Sequence, residues 1–401
     1  MVRVAYFVSH PIQYQVPLLR RIAQEQDIEL TVFFGSDFSV RGYEDTGFGV
    51  AVKWDVPLLG GYRHEFLPVL RDVGTQLITS PVSHGVLSRL GGRDGQAPFD
   101  LLWVHGYGTV NSMQAMLAAK ALGIPVLLRA ESWLRDRKRR GITLLAKQAF
   151  FAGLSWLVDG VLCIGTVNRE YWQHYFGKSV PLFDMPYAVD NGFFQQRSAE
   201  AAARRGELLA ELKLEPGRKV ILFASKLQER KHCNHLLEAY RRVVAEGGEE
   251  PAPYLVIVGD GEMRAELEAA AQGVEGVRFC GFRNQSELPR FFELASVFVL
   301  PSRHEPWGLI VNEVMNAGCA VIVSDDVGCH PDLITDGVEG FVYPVGDVGA
   351  LTEALRKVVQ TPGLAERMGQ AALKRIEGWS FEADVAGLRQ AVAALTKKIV
   401  A

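Results

Sequence analysis

Along this chain, short apolar and β-branched runs alternate with helical patterns, and the alternation stops once and begins again. In the first round the predicted strands are 2–8, 29–34, 101–104, 126–129 and 160–164, with predicted helices at 17–26, 111–122 and 168–175. The second round places strands at 219–224, 254–258, 277–279, 297–300 and 320–324, with helices at 235–246, 263–271, 285–294 and 309–316. A strand, a crossing helix and a further strand make a parallel pair, so each round predicts an α/β sheet with helices on both faces. Between 197 and 218 a charged, alanine-rich stretch ending in Glu215-Pro216-Gly217 interrupts the pattern. We therefore expect two doubly wound domains, 1–195 and 196–380, because 401 residues are too many for one ordinary core. Ligands of such sheets bind beyond the C-terminal ends of the strands, so the loops that follow strands are the places to search.

Charge and cysteine usage exclude several classes. A net charge of −3 gives no general case for a nucleic-acid binder. The five cysteines form no CxxC pair and the histidines lack zinc-ligand spacing, so free thiols in the cytoplasm are expected and a metal centre is not. The run 2–8 is too short for a signal-peptide core and reads as a buried strand. The longest apolar stretch, 142–164, is interrupted by Lys147, Gln148 and Asp159. A charge near the middle of a bilayer costs roughly 2.5–3.5 kcal/mol, so a buried or surface-docking helix followed by a strand is expected there rather than a span. Immediately before it stand Arg135, Arg137, Lys138, Arg139 and Arg140, broken only by Asp136. This basic run is either a solvated loop or a peripheral contact with anionic lipid on the inner face of a membrane.

Four strand-end loops of the second half carry the chemistry. After 297–300 comes Pro301-Ser302-Arg303-His304-Glu305-Pro306-Trp307-Gly308-Leu309, then Glu313 on the next predicted helix. Gly308 stands where that helix begins, so the backbone N–H groups of Trp307 to Leu309 are free to hold an anion, while Glu305 and Glu313 can accept from sugar hydroxyls. The alternative is a capped helix with two solvated glutamates. After 219–224, Lys226 and Lys231 can both reach one diphosphate as point charges. Gly259 and Gly261 form a glycine turn without the full GxGxxG spacing, which disfavours a nicotinamide cofactor. Phe282 and Arg283 follow another strand and suit the surroundings of a nucleobase.

These loops, in this order, resemble the retaining glycosyltransferases of family 4, which have the GT-B fold. The resemblance is strongest over 220–347, and its most specific part is the E-x7-E pair Glu305 and Glu313 with Pro306 and Gly308 between them. It implies two Rossmann-like domains facing a central cleft, with a last helix, 381–401, crossing back to the N-terminal domain. It also implies that Glu305 faces the donor sugar, Glu313 holds the nucleotide ribose, and two cations grip the diphosphate. The family's arginine at the first of those positions is Lys226 here, which keeps the charge and loses the bidentate fork. His105, at the end of 101–104, looks like the family's histidine near the reacting sugar, against the simpler reading of a hydrogen-bonded strand-end residue. Glu131, after 126–129, is a candidate on the acceptor side.

The chain departs from the family in two loops. Ser9-His10-Pro11-Ile12-Gln13-Tyr14 replaces the usual glycine pair, as in a variant subgroup with a His-Pro-Ile-Gln-Tyr loop, and leaves His10 and Gln13 either as ligand contacts or as capping and packing groups. Gly328-Cys329-His330-Pro331-Asp332 replaces a loop with two glycines and a glutamate. The resemblance implies transfer of a sugar from a nucleotide-diphosphate donor, with uridine the family's commonest base, to a glycan, lipid-linked or small-molecule hydroxyl. No Asp-x-Asp motif ends a strand, so no metal or other cofactor is expected. Two rivals stand beside this reading: another GT-B chemistry, such as a nucleotide-sugar epimerase or sugar-phosphate synthase, and a catalytically silent glycan-binding scaffold.

Overall fold

The computed structural model describes residues 1–41, 43–45, 50–52, 55–75, 77–92, 99–135, 141–247 and 251–396. The chain divides into two compact units, one made of 1–43, 56–187 and 381–401, the other of 44–55 and 188–380.

The first unit is built on seven parallel strands: β1 (Val2–Val8), β2 (Ile28–Phe34), β3 (Arg63–Phe66), β4 (Leu101–His105), β5 (Val126–Arg129), β6 (Gly160–Cys163) and β7 (Leu182–Asp184). Their order across the sheet is β7-β6-β5-β4-β1-β2-β3. The second unit has six parallel strands: β8 (Val220–Ala224), β9 (Tyr254–Val258), β10 (Val277–Phe279), β11 (Val297–Leu300), β12 (Ala320–Ser324) and β13 (Gly340–Tyr343), in the order β10-β9-β8-β11-β12-β13. In each sheet the strand order reverses between the first and fourth strands, so a crevice opens where β1 meets β4 and where β8 meets β11. Central strands such as β8, β9 and β12 are buried along their whole length. Covering both faces with helices demands continuous apolar runs of this kind, and each fully buried Val, Leu, Ile or Phe contributes about 1.5–3 kcal/mol.

Of the strands in these two main sheets, three escaped the sequence reading, β3, β7 and β13, and all three lie at sheet edges. An edge strand is covered on fewer sides, so it needs no unbroken apolar run, and these three are only partly buried. Helix 17–26 is shorter than expected, ending at Ile22 where the buried stripe Leu18, Leu19 and Ile22 runs out. Stretch 142–164 forms helix Ile142–Leu154 and then β6, and among the described residues no helix is long and apolar enough to cross a membrane.

The last helix, Phe381–Thr396, packs within the first unit. Gly387 lies so close to the Asp184 carbonyl that a Cβ there would stand 1.9 Å from its oxygen. Asp384, fully buried, takes a 3.1 Å hydrogen bond from Arg129, whose guanidinium also donates to the Met185 and Pro186 carbonyls. Burial raises the Asp384 carboxyl to about 7 despite that arginine.

Candidate active site

In the second unit, the loops leaving β8 and β11 meet at the switch point. The first turns through a short 3-10 helix, Glu229–Lys231, and the Arg303 N–H donates to the Arg230 carbonyl at 2.7 Å, fastening the two loops together. Glu305 is then held from its other side: its N–H donates to the Asp326 carbonyl at 3.1 Å, and its carbonyl accepts from Gly328 at 2.8 Å. Gly328 has to be glycine, because a Cβ would sit 2.0 Å from the Pro306 oxygen. The backbone thus aims the Glu305 side chain at Lys231, with which it forms an ion pair, while Arg230 approaches the same oxygen at 3.3 Å.

Both members of that pair are largely buried, with side chains 9% and 15% exposed. Burial works against ionising Glu305, but Lys231 and then Arg230 outweigh it and hold the carboxyl below its usual range. For the Lys231 ammonium, burial is the larger effect, and it lowers the pKa against the pull of Glu305. In this structure the lysine that the sequence assigns to a diphosphate neutralises a carboxylate. Lys226 lies partly buried in the same loop.

Glu313 stands in helix Ile310–Met315 and is electrostatically its opposite. Among the described residues it has no ion-pair partner, and burial alone pushes its carboxyl up to about 8. Gly308 precedes this helix at φ +90°, and a Cβ there would meet Val327 at 2.9 Å, so both conformation and space demand glycine. Trp307 is buried, donates from Nε1 to Asn312 at 2.9 Å and packs on Trp379, so its side chain anchors the loop from below. Leu309 is the partly buried N-cap.

The glycine turn after β9 packs directly against the first of these loops, the one leaving β8. Gly259 and Gly261 press against the carbonyls of Ser225 and Leu227, where a Cβ would stand 1.9 and 2.6 Å away. Their missing side chains let this turn support the Lys226 loop, to which it is joined by Leu227 N–H donating to Asp260 O at 2.9 Å. Arg283 is tied back by bonds to the Cys280 carbonyl and Glu287, and Phe282 is partly buried beside it.

In the first unit the switch point joins the loops after β1 and β4. His105 ends β4, and the Gln15 amide nitrogen faces its ring at 2.9 and 3.0 Å from the two nitrogens. Gln15 is itself fixed by the Tyr6 hydroxyl, which donates to its Oε1 at 2.5 Å. Burial first, then the positive Arg129 and last the neighbouring His10 ring, bring the His105 pKa down to about 3, so the imidazole is uncharged at neutral pH. It acts there as a donor and acceptor, not as a cation.

Glu131 lies 3.9 Å from His105 and accepts hydrogen bonds from the hydroxyls of Tyr14 (2.8 Å) and Tyr187. His10 packs on Phe38 in a tilted pair with ring centroids 4.3 Å apart, meets the Ser9 hydroxyl at 2.9 Å, and is lowered by burial to about 4, partly offset by Asp72. Gln13 lies in the turn before helix Val16–Ile22. Sequence reasoning passed over Gln15, Tyr14 and Tyr187 as partners. Gln15 stands in the same polar stretch as Gln13, two residues nearer the helix, and that position brings it under His105. Tyr187 had no local signal, since its partner is 56 residues away.

The family described as "Glycosyl transferases group 1" matches residues 205–375. D-inositol 3-phosphate glycosyltransferase of Streptomyces avermitilis is 33% identical over 394 residues, covering 92% of this chain and 80% of that protein. Alpha-maltose-1-phosphate synthase of Mycobacterium tuberculosis is 27% identical over 307 residues, covering 70% and 76%. The crystal structure of Anabaena HepE in complex with UDP superposes with a TM-score of 0.71 at 14% identity, over 98% of this chain and all of that one. The fold is therefore GT-B, with two Rossmann-like α/β domains. With a relative of this identity spanning nearly its whole length, and the family's match falling on the unit that holds Glu305, Lys231 and Glu313, the chain belongs to the group 1 glycosyltransferases.

Proposed function

We propose that this enzyme transfers a sugar, with retention, from a nucleotide-diphosphate donor, a UDP-sugar, to a hydroxyl of a glycan, lipid-linked or small-molecule acceptor, without a metal. The observation that carries the reading is the contrast at the second switch point, where an ion-paired Glu305 precedes the helix that begins after Gly308, and that helix carries Glu313, desolvated and, among the described residues, without an ion-pair partner. A desolvated carboxyl lacks donors, and vicinal ribose hydroxyls supply them. The donor diphosphate would draw Lys231 from Glu305 and add Lys226 and the amides around Gly308, leaving Glu305 to accept from sugar hydroxyls. As the sugar–phosphate bond breaks, these groups stabilise the charge on the departing diphosphate. The acceptor oxygen forms the new bond on the same face, and its proton passes to the leaving phosphate. The neutral His105 imidazole and Glu131 serve the sugar and acceptor end. HepE, solved with UDP, favours uridine as the base. Five free cysteines fit a reducing, cytoplasmic setting.

Purified protein is to be incubated with nucleotide sugars and an acceptor panel, and both UDP release and the anomeric configuration of the product followed. Acceptor-dependent release with retention, unchanged in a chelator, is expected. Activity lost in the chelator and restored by magnesium or manganese would refute metal independence. Conversion of the donor without acceptor would identify an epimerase, and stoichiometric binding without release a silent scaffold. The names of two relatives contain a phosphorylated sugar or inositol, which favours phosphorylated acceptors as the second class for that panel.

A further inference from the structure

Helix Ile142–Leu154 is more exposed than an apolar helix packed on a sheet should be. It buries only Phe151 and Leu154. Phe151 stacks on Tyr175 at 4.2 Å, and Lys147 turns toward the same side, over Tyr171 and Tyr175 at 4.9 and 4.6 Å. The face turned away is apolar as well. Ile142, Leu145, Ala149 and Ala152 recur at three- and four-residue spacing and are all exposed, Ile142 to 85% and Leu145 to 64%. Trp156, just past the helix end, continues the stripe at 83% exposure. Large side chains at both ends and alanines between make a low, smooth strip, of a kind that marks an interaction surface.

Its charge setting selects the partner. From 135 to 158 the chain carries six lysines and arginines against one carboxylate, Asp136, and five of the six stand in the run that leads directly into the helix. Residues 136–140 of that run lie outside the described residues. A second copy would bring two such basic segments into one interface, with a single carboxylate on each to set against six cations. An anionic bilayer surface meets both requirements, because its headgroups attract the cations while its acyl boundary takes the apolar strip and the indole. We infer that helix Ile142–Leu154 with Trp156 lies in the surface of an anionic lipid bilayer and makes this a peripheral membrane protein. The docking is a property of this face alone and does not depend on the sugar chemistry assigned above.

Flotation of the full chain with vesicles of phosphatidylcholine containing about 30% phosphatidylglycerol, against phosphatidylcholine alone, tests this. Wild-type protein is expected to float with the anionic vesicles only. Leu145→Glu and Trp156→Glu should each lower the bound fraction at least tenfold with the melting temperature unchanged, since both sites are exposed. Leu117→Glu, at an exposed apolar position on another helix of the same unit, should bind as wild type does. Equal recovery of wild type and the Leu145 variant would overturn the inference. So would a wild-type dimer in light scattering that Leu145→Glu dissociates without any vesicle binding, because a second copy would then cover the strip.

Discussion

Binding of UDP at neutral pH should expel a proton from Glu313. In the free protein its carboxyl titrates at about 8, so at pH 7 roughly nine molecules in ten hold the proton. Ribose hydroxyls that donate to the carboxylate would return it toward its ordinary value of about 4.3. The free form then holds more protons than the complex, so affinity rises with pH, close to tenfold per unit between about pH 5.5 and 7.5, and levels off above about 8. Near pH 7, close to one proton should leave for each UDP bound. The same group makes the unliganded protein less stable as pH rises from the ordinary carboxylate range to about 8. Its native form binds the proton that its unfolded form has lost, and the slope reaches at most about 1.4 kcal/mol per unit. Calorimetric titration in two buffers of different ionisation enthalpy counts the protons released. Glu313→Gln cannot release one, so its affinity should be lower and, apart from the titration of UDP itself, flat with pH. A wild-type protein that releases none beyond the Gln variant would refute the ribose assignment.

Lys231→Met should cost about 3–5 kcal/mol in urea unfolding, because it strands a buried carboxylate, and adding Glu305→Gln should recover much of that loss. Gly308→Ala should cost about 1–3 kcal/mol, from the +90° φ and the Val327 contact, and should weaken UDP binding; an unchanged melting temperature would contradict the geometry. His105→Ala should lower turnover by about a hundredfold while changing UDP affinity less than about threefold, and a loss of melting temperature with no change in kcat would make the residue a packing element instead.

The central strands of both units, the loops that leave them and the E-x7-E spacing were legible in the sequence. Each of these is a local pattern, imposed within a few residues by the requirement to bury a strand on both faces or to start a helix after a loop. The edge strands β3, β7 and β13 were not legible, since a partly covered strand is free of that requirement. Nor did the sequence show what each candidate residue touches. Glu305 and Lys231 are 74 residues apart, and Gln15 and His105 are 90. Only the reversal of strand order between β8 and β11, and between β1 and β4, brings those loops together. The sequence by itself thus determined the two parallel sheets and the residue types at their C-terminal ends. Tertiary structure decided the charges: burial beside Lys231 keeps Glu305 ionised, burial with no ion-pair partner among the described residues raises the Glu313 pKa, and burial near Arg129 keeps His105 neutral. Protonation depends on the solvent and counter-charges that distant segments remove or supply, and no local pattern encodes these.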